Sequence, residues 1–181
     1  MNIKNQLHLI EKCKNNDSRA QMQLYDLYYK AMFNTAFNFI KDDDIAQDVM
    51  QEAFIKAFKK IDTYTGEASF GSWLKRIVIN QSLDWLKKKK LETVELKEEV
   101  AYLPNDDPLE VDSDISMAVI YRCIESLPQK CKNVVKLYLL EGYDHQEVSQ
   151  ILEISEVASR SQLSRGKSKL KELLIHENYE S

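Results

Sequence analysis

Glycine and proline are scarce in this chain, 4 and 3 residues among 181. So few turn-makers, beside abundant Leu, Lys, Glu and Gln, exclude a hairpin-rich β protein and predict an all-α chain. The three cysteines, Cys13, Cys123 and Cys131, form no C-x-x-C pair. An odd count without metal-ligand spacing predicts reduced thiols in a cytosol and no zinc site, the alternative being a buried or redox-reactive thiol at Cys131. No run of 18 apolar residues exists, and Met1-Asn-Ile-Lys-Asn-Gln lacks the basic and apolar blocks of a signal peptide, so no membrane insertion and a cytoplasmic location are expected. His8, His145 and His176 are scattered, and neither a Gly-rich phosphate loop nor a G-x-S-x-G elbow occurs. No catalytic residue, metal or cofactor is therefore predicted, and the chain is not expected to be an enzyme.

What is present is the composition of a folded protein, with 44% hydrophobic and 30% charged residues. The net charge of −4 hides an uneven distribution. Residues 92–114 hold nine carboxylates against one base, Lys97, a local charge of −8 that leaves the rest of the chain at +4. That stretch also contains Pro104 and Pro108, so residues 92–115 read as an acidic, flexible linker. It separates two small helical domains, expected at 1–91 and 116–181.

In the first domain, Leu24, Leu27, Tyr28, Ala31, Phe33, Ala36 and Phe37 recur near a helical period, as a buried face would. Asp42, Asp43 and Asp44 offer N-cap carboxylates to a following helix with the apolar series Ile45, Val49, Ala53, Phe54, Ala57, Phe58 and Ile61. A glycine-bearing loop from Asp62 to Ser72 leads to a helix from Trp73 to about Lys90. In the second domain, Pro128 opens a helix that Gly142 stops. Asp144 with Glu147 signals a capped short helix ending near Leu152, and Ser155 caps a long one reaching about Ile175. Two helices across a tight turn, the second longer and basic, form the pattern of a helix-turn-helix.

Three constellations carry chemistry. The last helix holds five bases and no acid between Arg160 and Lys171, and Arg160, Ser161, Ser164, Arg165 and Ser168 fall on one stripe. Arg binds guanine bidentately and short Ser side chains let a helix approach base edges, so this stripe suits a major groove; the alternative is a solvated amphipathic helix. Arg76, Asn80 and Lys87 share one face, within about 40° of one another around the preceding domain's last helix, next to Lys88 and downstream of Tyr64, Phe70 and Trp73. Aromatics beside bases can stack unpaired bases and neutralise phosphates; alternatively Phe70 and Trp73 belong to a core. Asp44, Asp48, Gln51 and Glu52 share a helix side. Without a histidine or a second carboxylate helix they suit protein docking or solvation rather than a metal.

With these residues in view, the chain resembles the extracytoplasmic-function group of the sigma-70 family. Asp44 to Phe58 is similar to its regions 2.1–2.2, Phe70 to Leu86 to regions 2.3–2.4, and Ile124 to Leu174 to region 4. The resemblance implies a region 2 helical bundle and a region 4 helix-turn-helix, with core RNA polymerase, promoter DNA and an anti-sigma factor as partners. It implies polymerase contacts at Asp48, Gln51 and Glu52. It implies a −10 contact at Asn80 and a base pocket in the loop Gly66 to Gly71, beside the DNA contacts that the aromatic and basic pattern suggests at Phe70, Arg76, Lys87 and Lys88. It further implies −35 contacts at Arg160, Ser161, Ser164 and Arg165, with Lys167 on a phosphate. Two departures stand out: Glu153 occupies a turn position often held by Gly, and Glu156-Val157-Ala158 replaces the common Glu-Gly-Thr. A left-handed Glu153 costs on the order of 1 kcal/mol. The rival reading is a free-standing helix-turn-helix repressor or activator that binds a palindrome as a dimer.

Overall fold

The computed structural model describes residues 3–92 and 116–179. The acidic stretch expected to be a linker, from residue 93 to 115, lies outside the described residues. The chain divides between residues 96 and 97 into two units, and every described element is a helix or helical turn.

The first unit comprises α1 (Ile3–Lys14), α2 (Ser18–Ile40), α3 (Asp43–Lys59), a 3₁₀ turn (Ile61–Thr63) and α4 (Phe70–Glu92). Capping fixes the boundaries. The Asp17 carboxylate accepts from the N–H groups of Arg19 and Ala20 at 2.9 and 3.1 Å, which holds its acidity above that of an ordinary aspartate. Lys41 turns left-handed at the end of α2. Asp42 then caps α3 by accepting from Ile45 N at 3.1 Å. Helix α4 begins three residues before the sequence suggested, because the Ser69 hydroxyl accepts from Ser72 N at 3.1 Å.

Helices α2, α3 and α4 pack on one another, and α1 closes against α2. Their shared core includes Leu24, Met32, Ala36, Val49, Met50, Phe54, Ile61, Leu74 and Val78. The buried arc of α2 is rotated from the expected one. It runs through Ala20, Leu24, Met32, Thr35, Ala36 and Phe39, whereas Leu27 and Ala31 face outward. The helix has apolar residues on more than one side, so periodicity alone does not fix which arc faces α3 and α4.

The second unit comprises α5 (Met117–Glu125), α6 (Gln129–Val135), α7 (His145–Leu152) and α8 (Glu156–Tyr179). Helix α6 continues into a widened π turn, Lys136–Leu140, where Glu141 N donates to Lys136 O at 3.0 Å. The helical run ends at Leu140, and Gly142 turns left-handed just beyond it, close to the stop its position in the sequence predicted. Helix α8 packs against α5, α6 and α7 through Leu163, Leu170 and Leu174, all buried. The α6–α8 crossing is close: a Cβ on Gly166 would lie 2.5 Å from Val135 Cγ2.

Candidate nucleic-acid interface

The helix-turn-helix of the second unit is fixed at every joint. The Asp144 carboxylate accepts from Glu147 N at 2.8 Å while Asp144 N donates to Glu147 Oε2 at 3.0 Å, the reciprocal capping box the sequence predicted. His145 Nδ1 and Ser159 Oγ are 2.9 Å apart, tying the start of α7 to α8, and the imidazole lies 4.7 Å from the Tyr138 ring. Glu153 takes the left-handed conformation expected of it, φ 56° and ψ 43°. The Ser155 hydroxyl then accepts from Ala158 N at 3.1 Å, pinning the first turn of α8.

On α8, Arg160 and Arg165 are exposed and Ser161 and Lys167 half-buried. The Arg160 guanidinium stands 3.6 Å from Glu156 with both side chains largely in solvent, a pairing weak enough to exchange for a phosphate or base. Ser164 departs from the expectation of an open donor stripe, since it is only 3% exposed and engaged by neighbours. A serine barely rises above the helix surface, so adjoining chain covers it. The stripe is open at Arg160 and Arg165 on either side of Ser164, and Val157 also stands in solvent at its N-terminal end.

In the first unit, Arg76 and Asn80 are half-buried on α4, and Lys87 and Lys88 are exposed further along. Phe70 departs from the contact reading: at 2% exposure it is a core residue, its ring 5.5–5.6 Å from those of Tyr28, Tyr64 and Trp73. An aromatic at the first position of α4 does more by joining α4 to α2 than by meeting solvent. Trp73 stays half-buried. The loop before α4 is shaped by Tyr64, whose hydroxyl donates to Ala68 O at 2.7 Å, and by left-handed Gly66. Residues 65–69 are all exposed. One acid, Asp84, is exposed between Asn80 and Lys87. The sequence reading passed over it, although its i+4 spacing from Asn80 was visible.

Helix α3 shows a different surface. Asp44, Asp48, Gln51 and Glu52 are exposed together, and Ile55, 55% exposed, adds an apolar knob that sequence reasoning missed. Its signal was an isoleucine one turn after Gln51, out of step with the buried series. The Glu52 carboxylate accepts from Gln81 Nε2 at 2.8 Å, and Lys56 Nζ donates to Gln81 Oε1 at 3.3 Å. These bonds tie the docking candidate α3 to α4. Among the described residues, no group of three or more His, Cys, Asp and Glu side chains could hold a metal, and no helix is long and apolar enough to cross a membrane. Burial raises the thiols of Cys13, to about 11, and of Cys123 and Cys131, which suppresses thiolate chemistry at all three.

Comparison with known proteins agrees with this geometry. Residues 24–92 match the family Sigma-70 region 2, and residues 117–170 match Sigma-70, region 4. The chain is 28% identical over 177 residues to the ECF RNA polymerase sigma factor SigW of Bacillus subtilis, covering 91% of this chain and 94% of the relative. It is 25% identical over 171 residues to the ECF RNA polymerase sigma-E factor of Escherichia coli K12, covering 88% of each. Among solved structures, its fold is similar to RpoE in complex with the anti-sigma factor NepR from Bartonella quintana, with a TM-score of 0.61 at 21% identity, covering 85% of this chain and 96% of that one. It is also similar to CnrH in complex with the cytosolic domain of CnrY, with a TM-score of 0.59 at 22% identity, covering 93% and 96%.

Proposed function

The chain belongs to the extracytoplasmic-function group of the sigma-70 family and is an RNA polymerase sigma factor; from that premise we propose how its named residues divide the work. The polar face of α3, with Asp48, Gln51, Glu52 and Ile55, docks on core RNA polymerase. The N-terminal turns of α8 enter the major groove of the −35 element, where Arg160 and Arg165 meet bases and Lys167 a phosphate. Arg76, Asn80, Lys87 and Lys88 hold the non-template strand of the −10 element, and the loop from Thr65 to Ser69 receives an extruded base. Opening the duplex costs roughly 1.4 kcal/mol per base-pair step in stacking. Captured bases and neutralised phosphates offset that cost, and no bond of substrate is made or broken by the chain itself.

The observation that carries this reading is the pairing of two cation-bearing helix faces, on α4 and α8, with one acidic face on α3. Nucleic acid suits the first two and a protein suits the third. As a member of this family the chain is assigned to the cytoplasm and to an anti-sigma factor as a further partner, and a structural neighbour was solved in complex with one. Domain limits of 1–91 and 116–181, with an acidic linker between, complete the proposal.

The test is capture of sigma-free core RNA polymerase by this chain, followed by run-off transcription on genomic fragments. Capture with discrete new start sites, lost on Asp48→Arg, supports the division of roles. No capture, together with tight palindrome binding by the chain alone, would replace it with the free-standing regulator.

A further inference from the structure

Val157 is, at 76%, the most exposed large apolar side chain among the described residues, and its place on α8 gives that exposure a direction. It stands three residues before Arg160 and four before Ser161. At roughly 100° per residue its azimuth falls between theirs, so any groove that receives Arg160 and Ser161 also receives Val157. The Ser155 cap holds this turn in place. A β-branched side chain in a helix keeps essentially one χ1 rotamer, so the isopropyl group is presented rigidly and loses little freedom on contact.

Resting on the sigma-factor reading, we propose that Val157 is a specificity-determining residue that reads the 5-methyl group of one thymine in the −35 element. The chemistry leaves few other partners. Base edges in the major groove are acceptors and amino donors, which an isopropyl group would desolvate without satisfying; the thymine methyl is their one apolar projection. Arg160 selects guanine by its charge and fork, while Val157 selects thymine by fit. Together they distinguish a G beside a T from sequences that satisfy only one of the two. The contrary case is a stray surface valine, since isolated exposed apolar residues are common.

Deoxyuridine decides between them, because it differs from thymidine by that methyl alone. A −35 duplex is selected by the holoenzyme from a randomised library, and each thymine on either strand is replaced singly by deoxyuridine. One replacement is expected to weaken holoenzyme binding about three- to fivefold, the worth of one buried methyl. Val157→Ala is expected to lose a similar factor on the thymine duplex and to bind the thymine and deoxyuridine duplexes equally. Indifference of the wild-type holoenzyme to every replacement overturns the proposal, as does unchanged methyl sensitivity in Val157→Ala. Arg160→Ala separates the two levels. If it abolishes −35 binding while methyl sensitivity is absent, α8 reads DNA without Val157; if it changes nothing, α8 does not read the −35 element and both readings fall. Since Val157 touches little, thermal unfolding of its variant stays at the wild-type value.

Discussion

The two units reach stability by different means. The first is a bundle whose centre is large and apolar, with Leu24, Phe54, Phe70, Leu74 and Val78 all essentially sealed from water, and its aromatic side chains interlock from α2 to α4. The second is smaller, and an apolar interior that includes Ile124, Val134, Leu137, Leu163 and Leu170 is joined by a buried ion pair. Lys136 is 2% exposed and its ammonium lies 2.8 Å from Glu125 Oε1, with Lys132 3.6 Å from the other carboxylate oxygen. A small domain buries proportionally less surface, so single polar or steric features carry a larger share of its stability. The second unit is therefore expected to yield to changes that the first absorbs.

The largest effects test that contrast directly. Both tryptophans, Trp73 and Trp85, lie in α4, so tryptophan fluorescence follows the first unit while far-UV circular dichroism follows both. Leu74→Ala opens a cavity in a sealed core and is expected to cost about 3 kcal/mol, visible in the fluorescence transition. Glu125→Ala leaves the Lys136 ammonium buried without its carboxylate and is expected to cost about 3 kcal/mol, visible only in the dichroism. The pair replacement Glu125→Leu with Lys136→Met restores most of that loss, because two apolar groups need no partner. If Glu125→Ala melts like the wild type, the buried pair is not what holds α5 to α6. By contrast, the exposed Glu11–Lys14 pair of the first unit contributes less than about 0.5 kcal/mol, and Glu11→Ala leaves fluorescence melting unchanged.

Glycine positions sharpen the comparison at an intermediate scale. An alanine at 166 would press its Cβ to 2.5 Å from Val135, a side chain with no exposed surface and no room to move. Gly166→Ala is expected to cost about 2 kcal/mol and to weaken −35 binding, because α8 must shift away from α6. At Gly71 the neighbour is Tyr28 Cε1 at 2.9 Å, a longer approach and to the edge of a ring that is half-buried rather than sealed. Gly71→Ala is expected to cost less than about 1 kcal/mol. Equal losses at the two sites would contradict the view that the second unit is the more brittle.

Most helix limits were legible in the sequence because they are set by local chemistry. Asp42, the Asp144–Glu147 pair and Ser155 each act on an amide three residues away, and such signals need no knowledge of the fold. The start of α4 was misplaced for want of one serine cap. What the sequence concealed was tertiary. A lysine reads as solvated, and nothing in the spacing of Glu125, Lys132 and Lys136 across Pro128 shows that a carboxylate will cover two ammonium groups. The pattern of aromatics beside bases puts Phe70 on a contact surface, and helical periodicity puts Ser164 there; both are buried. Periodicity gives the angle of a residue around its helix, but not which neighbouring chain lies at that angle. The arginines of α8 and the polar face of α3 were easier to place, since charge excludes them from an apolar interior.

The smallest effect concerns backbone strain, and both units supply a site for it. Glu153 and Lys41 are non-glycine residues held left-handed at helix ends, with φ 56° and 59°. Each conformation costs on the order of 1–2 kcal/mol in a residue with a Cβ. Glycine removes that cost but gains about 0.4–1 kcal/mol of freedom in the unfolded chain, so Glu153→Gly is expected to stabilise the second unit by about 0.5 kcal/mol. In a domain of this size that raises its melting temperature by roughly 2–4 °C, with the fluorescence transition unmoved. Lys41→Gly gains the same relief, yet it also removes an ammonium lying 5.2 Å from the centre of the Phe37 ring, a contact worth about 0.5 kcal/mol at an exposed site. Its net effect on the first unit is therefore expected to be close to zero. A gain at Glu153 and none at Lys41 would show that the strain is equal in the two units and that a side-chain contact offsets it in one. Equal gains would mean that the Lys41–Phe37 contact contributes nothing in solution.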